Sequence, residues 1–367
     1  MCPCCKSKLT LKEYRSKGIL TRYGQTNLNQ PYFQCKRCKT HKYFANLSTR
    51  PSYARLSPKF TEMISLEGKD VPFQIASDKI KRIFGVAISE DTIRRATETI
   101  GAVQFNKQVE EIKAKEYIKA ENLEDSDRVY VEIDASMLNT TTDGWKEYKL
   151  ALHFNQKDID NRSDNQRSTL IKKNLVGALA LGHDDLTHRL KRSMLESGAL
   201  NAREIILISD GAEWIETVFQ SIAPGATMVL DWYHASEHLW ECAQQLYKDD
   251  RLAKAWVSFY KHLLMNGCVD YMLQRLSENA STAKNQTPLR NLYSYFYQRR
   301  NRIRYDLFLK NGYFIGSGAI ESAHKYSVQC RLKQAGMKWR IDNANGVAQL
   351  RNMYISALWD KIWQAAA

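Results

Sequence analysis

The chain has 367 residues, 44% hydrophobic and 26% charged, with a formal net charge of +14; that length exceeds what a single hydrophobic core organises and predicts two or three domains. No apolar run approaches the ~18 residues of a membrane-crossing helix, and the N-terminal stretch is polar and basic without the apolar centre of a signal peptide, so a soluble intracellular protein is expected. The charge is uneven: residues 1–60 carry +12, residues 286–340 carry +9, and the remainder about −7. Two basic zones flanking an acidic middle point to a polyanion held at two places, because Lys and Arg that replace phosphate counterions supply most nucleic-acid affinity. The plainer alternative is a basic protein kept soluble by its charge.

The first signal along the chain is a pair of knuckles, Cys2-Pro3-Cys4-Cys5 and Cys35-Lys36-Arg37-Cys38. C-x2-C, a long spacer and C-x2-C predict a closed, structural zinc site with Cys2, Cys5, Cys35 and Cys38 as thiolate ligands. Cys4 can compete within the first knuckle, and His41 is a weaker spare ligand. A disulfide framework is the alternative, disfavoured because nothing else suggests secretion. Between the knuckles Gly24, Gln25, Thr26 and Asn27 suit a hairpin turn and Tyr32 and Phe33 a strand, while Lys36, Arg37, Lys39 and Lys42 suit phosphate contact. Cys242, Cys268 and Cys330 stand singly and are expected as buried free thiols.

From Pro72 the pattern turns helical, with Ile75, Ile80 and Ile83 at roughly helical spacing up to Gly85-Val86-Ala87-Ile88. Ser89 suits the N-cap of a second helix, with Glu90 and Asp91 in its first turn and Ile93, Ala96 and Ile100 on one face. Helix, glycine-containing turn, helix is the outline of a helix-turn-helix, whose outward Arg94 and Arg95 are candidates for DNA contact or simply a solvated face. Residues 101–125 read as an exposed linking helix.

Residues 128–133 predict a buried strand that ends on Asp134, and residues 204–209 one that ends on Asp210-Gly211-Ala212. Residues 146–154, 174–181 and 227–230 read as further strands, the last ending on Asp231, and 212–222 as a helix. This interleaving predicts an α/β layer with a mixed sheet. One Asp at a strand end is ordinarily a turn residue, but acidic side chains at the carboxyl ends of neighbouring strands are where such sheets place their sites. Residues 238–310 carry Leu239, Trp240, Leu246, Trp256, Tyr260, Leu263 and Leu273 at helical spacings and few strand signals. Trp240 and Trp256 could stack on bases, although core packing is their ordinary fate. Residues 315–320 read as a flexible loop opening a helix with Glu321 in its first turn, where the helix dipole favours negative charge and capping is the plain alternative. His324 and Lys325 follow at i+3 and i+4 on the same face.

Taken together, Val131-Glu132-Ile133-Asp134, Ile208-Ser209-Asp210-Gly211-Ala212-Glu213-Trp214, Leu230-Asp231-Trp232-Tyr233-His234-Ala235 and Gly316-Ser317-Gly318-Ala319-Ile320-Glu321-Ser322-Ala323 resemble the DDE transposases of bacterial insertion sequences. The branch is the one allied to Mutator-like elements, and the likeness continues through Arg331-Leu332-Lys333-Gln334-Ala335-Gly336-Met337. The resemblance implies a multidomain α+β protein. A zinc ribbon (1–48), a helix-turn-helix-like DNA-binding module (49–105) and a linker helix (106–125) would precede an RNase H-like core (126–237 and 311–367, the latter with C-terminal helices). A helical insertion (238–310) would interrupt that core.

The resemblance further implies Asp134, Asp210 and Glu321 as catalytic carboxylates holding two Mg2+ (or Mn2+) ions, beside the structural Zn2+. Asp231 and His234 match an Asp-x-x-His element of that family; Asp231 and His324 are read as supporting residues. His234, Lys325, Arg331 and Lys333 join Arg37, Arg94 and Arg95 as candidate DNA contacts, the alternatives being a satisfied buried histidine for His234 and a local ion pair for Lys325. One departure is that Ala135 and Ser136 follow the first aspartate, where Gly and Thr are common. The implied activity is cleavage at the ends of an insertion sequence and strand transfer by two-metal phosphoryl transfer. The implied partners are terminal inverted repeats, target DNA and a second copy or more of the chain, in a cytoplasmic, nucleoid-associated setting. A domesticated or catalytically silent DNA-binding regulator is the alternative. A zinc hydrolase built on His234 and His238 lacks the adjacent Glu of His-Glu-x-x-His and a distant third ligand; a resolving nuclease of the same fold would lack the joining step.

Overall fold

The computed structural model describes residues 1–43, 53, 55–114, 128–160, 169–282 and 286–364. The end of the expected ribbon (44–48) and most of the expected linker (115–125) lie outside the described residues. The chain divides into two compact units, one of Met1–Glu110, Asn139–Gly144 and Ser327–Ala367, the other of Glu111–Leu138 and Trp145–Tyr326. Residues 311–367, expected to complete the core, are thus divided at Ser327. No helix of the described residues is long and apolar enough to cross a membrane.

The first unit opens with an antiparallel sheet of β1 (Leu9–Thr21), β2 (Gly24–Cys35) and β3 (His41–Tyr43), in that order. Its long hairpin turns at Arg22-Tyr23, earlier than predicted. Gly24 closes the turn at φ 100°, and Gln25, Thr26 and Asn27 pair with Leu20, Ile19 and Gly18. Their polarity marks an exposed ladder, not a chain reversal.

Three helices follow: α1 (Pro58–Asp70), α2 (Phe73–Phe84) and α3 (Glu90–Lys113). α1 has no counterpart among the predicted elements, although Ser57-Pro58 is a start signal. Ser57 Oγ accepts the Phe60 N–H at 3.3 Å, and Pro58 stands where a missing N–H costs nothing. Gly85 ends α2 at φ 68°, and Ser89 Oγ accepts the Thr92 N–H at 3.2 Å, the N-cap contact expected of it. Ala76 and Ile80 of α2 pack against Phe60, Ile64, Ile93 and Ala96. Ile75 and Ile83 stand exposed, because they lie on the neighbouring i, i+4 stripe of the helix. α3 continues through Lys113, so the boundary expected at 105 falls inside a helix.

The second unit holds β4 (Arg128–Asn139), β5 (Trp145–Asn155), a short pair β6 (Ile159–Asp160) and β7 (Thr169–Leu170), β8 (Asn174–Leu179), α4 (His183–Ser197), β9 (Glu204–Ser209), α5 (Glu213–Ile222) and β10 (Thr227–Leu230). Five of the strands form one mixed sheet in the order β10-β9-β4-β5-β8. β10, β9 and β4 run parallel, and β8 is antiparallel to β5. Alternation along β4 sorts its side chains: Val129, Val131 and Ile133 enter a core with Leu186 and Leu190 of α4 and Ile215 and Phe219 of α5. Tyr130, Glu132 and Asp134 take the opposite face.

His153 of β5 is buried with its Nε2 2.8 Å from Ser193 Oγ, and burial holds its pKa down to about 3. Below its ordinary value near ~6.5 the unfolded chain binds a proton that the folded chain refuses, so this stability is complete above that pH and is lost as pH falls toward 3. The second unit is therefore expected to melt at a lower temperature near ~pH 5 than near ~pH 7, and His153→Gln should shrink the difference in thermal denaturation.

Helices α6 (Trp232–Leu246), α7 (Asp250–Met265), α8 (Val269–Thr282), α9 (Thr287–Gln298) and α10 (Tyr305–Lys310) follow, as the helical spacing of 238–310 predicts. Leu239, Tyr260, Leu263 and Leu273 are buried, and the Trp256 ring lies tilted against that of Tyr260, centroids 4.2 Å apart. α6 begins ahead of the predicted boundary because Asp231 caps it. After α11 (Gly318–Ala323) comes a π-helical stretch, His324–Gln329, and α12 (Cys330–Leu332). α13 (Ile341–Ile355) and α14 (Trp359–Trp363) belong to the first unit, where Leu350, Trp359, Ile362 and Trp363 pack with Ile100 of α3.

Candidate metal centre and carboxylate site

The two knuckles bring Cys2, Cys5, Cys35 and Cys38 together, with all four Sγ atoms within 4.8 Å of one another. Cys2 and Cys38 are 3.4 Å apart and Cys5 and Cys35 3.5 Å. Those spacings approach the ~3.8 Å edge of a thiolate tetrahedron with Zn–S near ~2.3 Å, and are far from the ~2.05 Å of a disulfide. Each knuckle closes alike: the Lys6 N–H donates to Cys2 O and the Lys39 N–H to Cys35 O, both at 3.1 Å, with left-handed φ of 57° and 58°.

Thr40, its Oγ1 3.2 Å from Cys38 Sγ, pulls that thiol down to about 5 through its hydroxyl and backbone, and hydrogen bonding from Ser7 lowers Cys5. For Cys35 the Cys38 N–H favours the thiolate, but burial and the neighbouring thiols outweigh it and raise the pKa. A metal takes the thiolate form, and four thiolates leave no open position, so the cluster can hold a metal such as zinc structurally. Cys4 is exposed outside the cluster, and the His41 ring lies 5.6 Å from that of Tyr32. Cys242 is buried, its thiol pushed up to about 12 by burial. Cys268 and Cys330 are exposed, contrary to expectation, because one lies in the turn after α7 and the other on an outer helical position.

The parallel register sets Glu132 beside Ile208 and Leu230 beside Ser209. β4, β9 and β10 therefore carry Asp134, Asp210 and Asp231 at the same end of three neighbouring strands. β4 runs on to Asn139 instead of ending on Asp134. Asp134 Oδ1 accepts the Ala135 N–H at 2.7 Å, and Oδ2 lies 3.5 Å from Nε2 of His324, whose Nδ1 is 3.1 Å from Ser136 Oγ. Asp210 Oδ1 accepts the Ala212 N–H at 2.8 Å. Helix α9 grips the backbone around it: the Tyr295 hydroxyl donates to Asp210 O at 3.3 Å and Arg299 Nη2 to Gly211 O at 2.8 Å.

Asp231 differs from both. It is fully buried, with Oδ2 accepting the His234 N–H at 3.1 Å and Oδ1 the Ser317 N–H at 2.8 Å. Both oxygens are engaged, which ties the end of β10 to α6 and to the loop before Glu321. Glu321 stands exposed in the first turn of α11. Partial desolvation raises its pKa first, then the charges of Asp231 and Asp134, with His234 opposing. Such like-charge crowding is what a cation would relieve. Among the described residues, however, only the four cysteines bring three or more Cys, His, Asp or Glu ligand atoms within 4.8 Å; Asp134, Asp210 and Glu321 do not.

The face predicted to hold Glu321, His324 and Lys325 together is split. The π-helical stretch starting at His324 widens the turn, and His324 is buried toward Asp134 while Lys325 is exposed. Glu132 is the polar residue the motif reading does not single out. It is 1% exposed, its Oε2 accepts the Ile320 N–H at 2.7 Å, and burial pushes its pKa up to about 8 despite that bond, with the Asp231 and Glu321 charges adding. The available signal was a carboxylate inside an otherwise apolar strand.

Of the candidate DNA contacts, Arg37, Arg95, Lys325 and Lys333 are exposed. Arg95 pairs with Asp91 at 2.8 Å, and Arg94 sits between Asp91 at 2.6 Å and Glu98 at 2.9 Å. His234 and His238 each meet their own i+3 glutamate at 3.3 Å. Arg331 corrects the expectation: it is 1% exposed, lies over the rings of Phe73 at 4.6 Å and Trp339 at 5.0 Å, and donates from Nε to Gly68 O at 3.1 Å. A planar, weakly hydrated guanidinium is the cation that tolerates such a setting, and there it holds the first unit's helices together instead of reaching solvent.

Comparison with curated proteins returned no match. Residues 4–360 match the Uncharacterised protein family (UPF0236), a span that takes in both cysteine-bearing knuckles from Cys4 onward, the sheet and all four acidic residues of the site. On that match over nearly its whole length, the chain belongs to the uncharacterised protein family UPF0236.

Proposed function

We propose that the chain is a DDE-type DNA transposase that cuts the ends of its insertion sequence and joins them to target DNA. The observation that carries this reading is that Asp134 and Asp210 lie at the same end of the paired stretch of adjacent parallel strands, while His324, three residues after Glu321, lies 3.5 Å from Asp134. The mixed sheet, followed by five helices before Glu321, supports an RNase H-like core with a helical insertion. The cysteine cluster with exposed Lys36, Arg37 and Lys39 beside it supports a zinc ribbon laid against phosphates.

Asp134, Asp210 and Glu321 would hold two Mg2+ or Mn2+ ions, which suit hard oxygen donors and when bound supply Lewis acidity toward phosphate and an activated nucleophile. His324 faces Asp134, and Arg299 steadies the Asp210 loop, so two of the carboxylates are oriented before DNA arrives. Lys325 offers an exposed cation for phosphate. Water attack breaks a P–O bond at the element end and frees a 3′-hydroxyl. That hydroxyl then attacks a target phosphodiester, one P–O bond forming as another breaks. The partners are inverted repeats and target DNA, with at least a dimer of the chain because two ends are joined together.

The open spacing of the three carboxylates favours, as a second reading, a transposase-derived regulator that binds DNA without cutting it. Labelled duplex carrying the repeats that flank the reading frame, incubated with the chain and Mg2+ or Mn2+, separates the two. Nicking at the repeat end and joined products are expected; binding without cutting in either metal selects the regulator.

A further inference from the structure

The turn that carries Glu321 is held from two sides by buried carboxyl groups. Asp231, after β10, accepts the Ser317 N–H, and Glu132, on β4, accepts the Ile320 N–H at 2.7 Å. Glu132 shares a face of β4 with Asp134 and Ser136, since alternate residues point the same way. All three meet the same short segment: Glu132 at Ile320, Asp134 and Ser136 at His324. The stretch of β4 that presents Asp134 therefore also grips the backbone one residue before Glu321. A buried carboxyl is costly without a partner, and here it takes the shorter arm of the Ile320 N–H, at 2.7 Å against 3.2 Å to Ser317 O.

We propose that Glu132 is a positioning residue, which sets the register of the Glu321 turn against β4 through the Ile320 N–H. Its importance for cutting rests on the transposase reading; its hold on the turn does not. Two variants of the full chain test it. Glu132→Gln keeps an acceptor on an arm of equal length, and Glu132→Leu keeps the volume without an acceptor, with Glu132→Ala in its place should the leucine chain not fold. Backbone hydrogen exchange is followed over residues 318–321, and turnover on labelled end DNA is measured separately from DNA affinity.

The leucine chain is expected to exchange faster in that segment and to lose turnover by about 10²-fold, the scale of a misplacement near 1 Å, at unchanged DNA affinity. The glutamine chain is expected to restore both. Unchanged exchange in the leucine or alanine chain overturns the proposal, as does a glutamine chain that exchanges as fast as they do. If the unaltered chain cuts no DNA, the transposase reading fails while the exchange contrast still decides whether Glu132 holds the turn.

Discussion

Asp134→Ala is expected to lower strand cleavage by at least about 10²-fold while leaving affinity for end DNA within about a factor of two, and Asp210→Ala and Glu321→Ala should do the same. The split follows from what each side chain touches. Among the described residues Asp134 bonds the adjacent Ala135 N–H and faces His324, Asp210 bonds the Ala212 N–H of its own loop, and Glu321 is exposed. Removing any of them takes little from the packing, so binding through the basic zones should survive. Asp231→Ala makes the contrast, because it abandons the His234 and Ser317 N–H groups at the buried end of β10. That variant should lower the melting temperature as well as activity, since buried donors left unpaired cost about 1–3 kcal/mol. A gel assay of cutting beside an anisotropy measurement of binding checks both; equal loss of binding and cutting in the Asp134 variant would count against a catalytic role.

Stripping metal from the cysteine cluster is expected to unfold β1, β2 and β3 outright. Among the described residues its own core is thin: Cys35, Tyr32 and Gln30 are buried beside Cys2 of the first knuckle, much of β1 is exposed, and Leu20 is its apolar link to the helices. Structural zinc contributes on the order of 10–16 kcal/mol in small thiolate domains, far more than so thin a core can supply. The prepared chain should carry one equivalent of zinc. A chelator, or Cys35→Ser with Cys38→Ser, should abolish the hairpin's circular-dichroism signal and weaken DNA binding. The melting transition of the five-stranded sheet should persist, since its core draws on β4, β5, β8, β9, α4 and α5. A hairpin that keeps its signal after the metal is gone would show that the cluster is not its core.

Local patterns carried much of this into view in advance. Two C-x2-C pairs share a tight-turn geometry that needs no knowledge of the rest of the chain, and the four expected thiols do cluster. Apolar β-rich runs of six residues or fewer also read cleanly, and β9 and β10 match their predicted bounds. Where local signals misled, polarity or periodicity was ambiguous: Gln25 to Asn27 are as polar as a turn but form an exposed ladder, and Ile83 has helical spacing but lies off the buried stripe.

What the sequence by itself determined is therefore the set of clustering thiols, the strands, and Asp210 and Asp231 at the ends of β9 and β10, because each rests on chemistry within a few neighbouring residues. Only the tertiary structure decided that Arg331 is packed between rings, that Asp231 spends both oxygens on backbone amides, and that Glu132 grips a turn 188 residues away. Burial and hydrogen-bond partners of this kind are properties of where distant segments meet, and no periodicity along one strand or helix encodes the meeting.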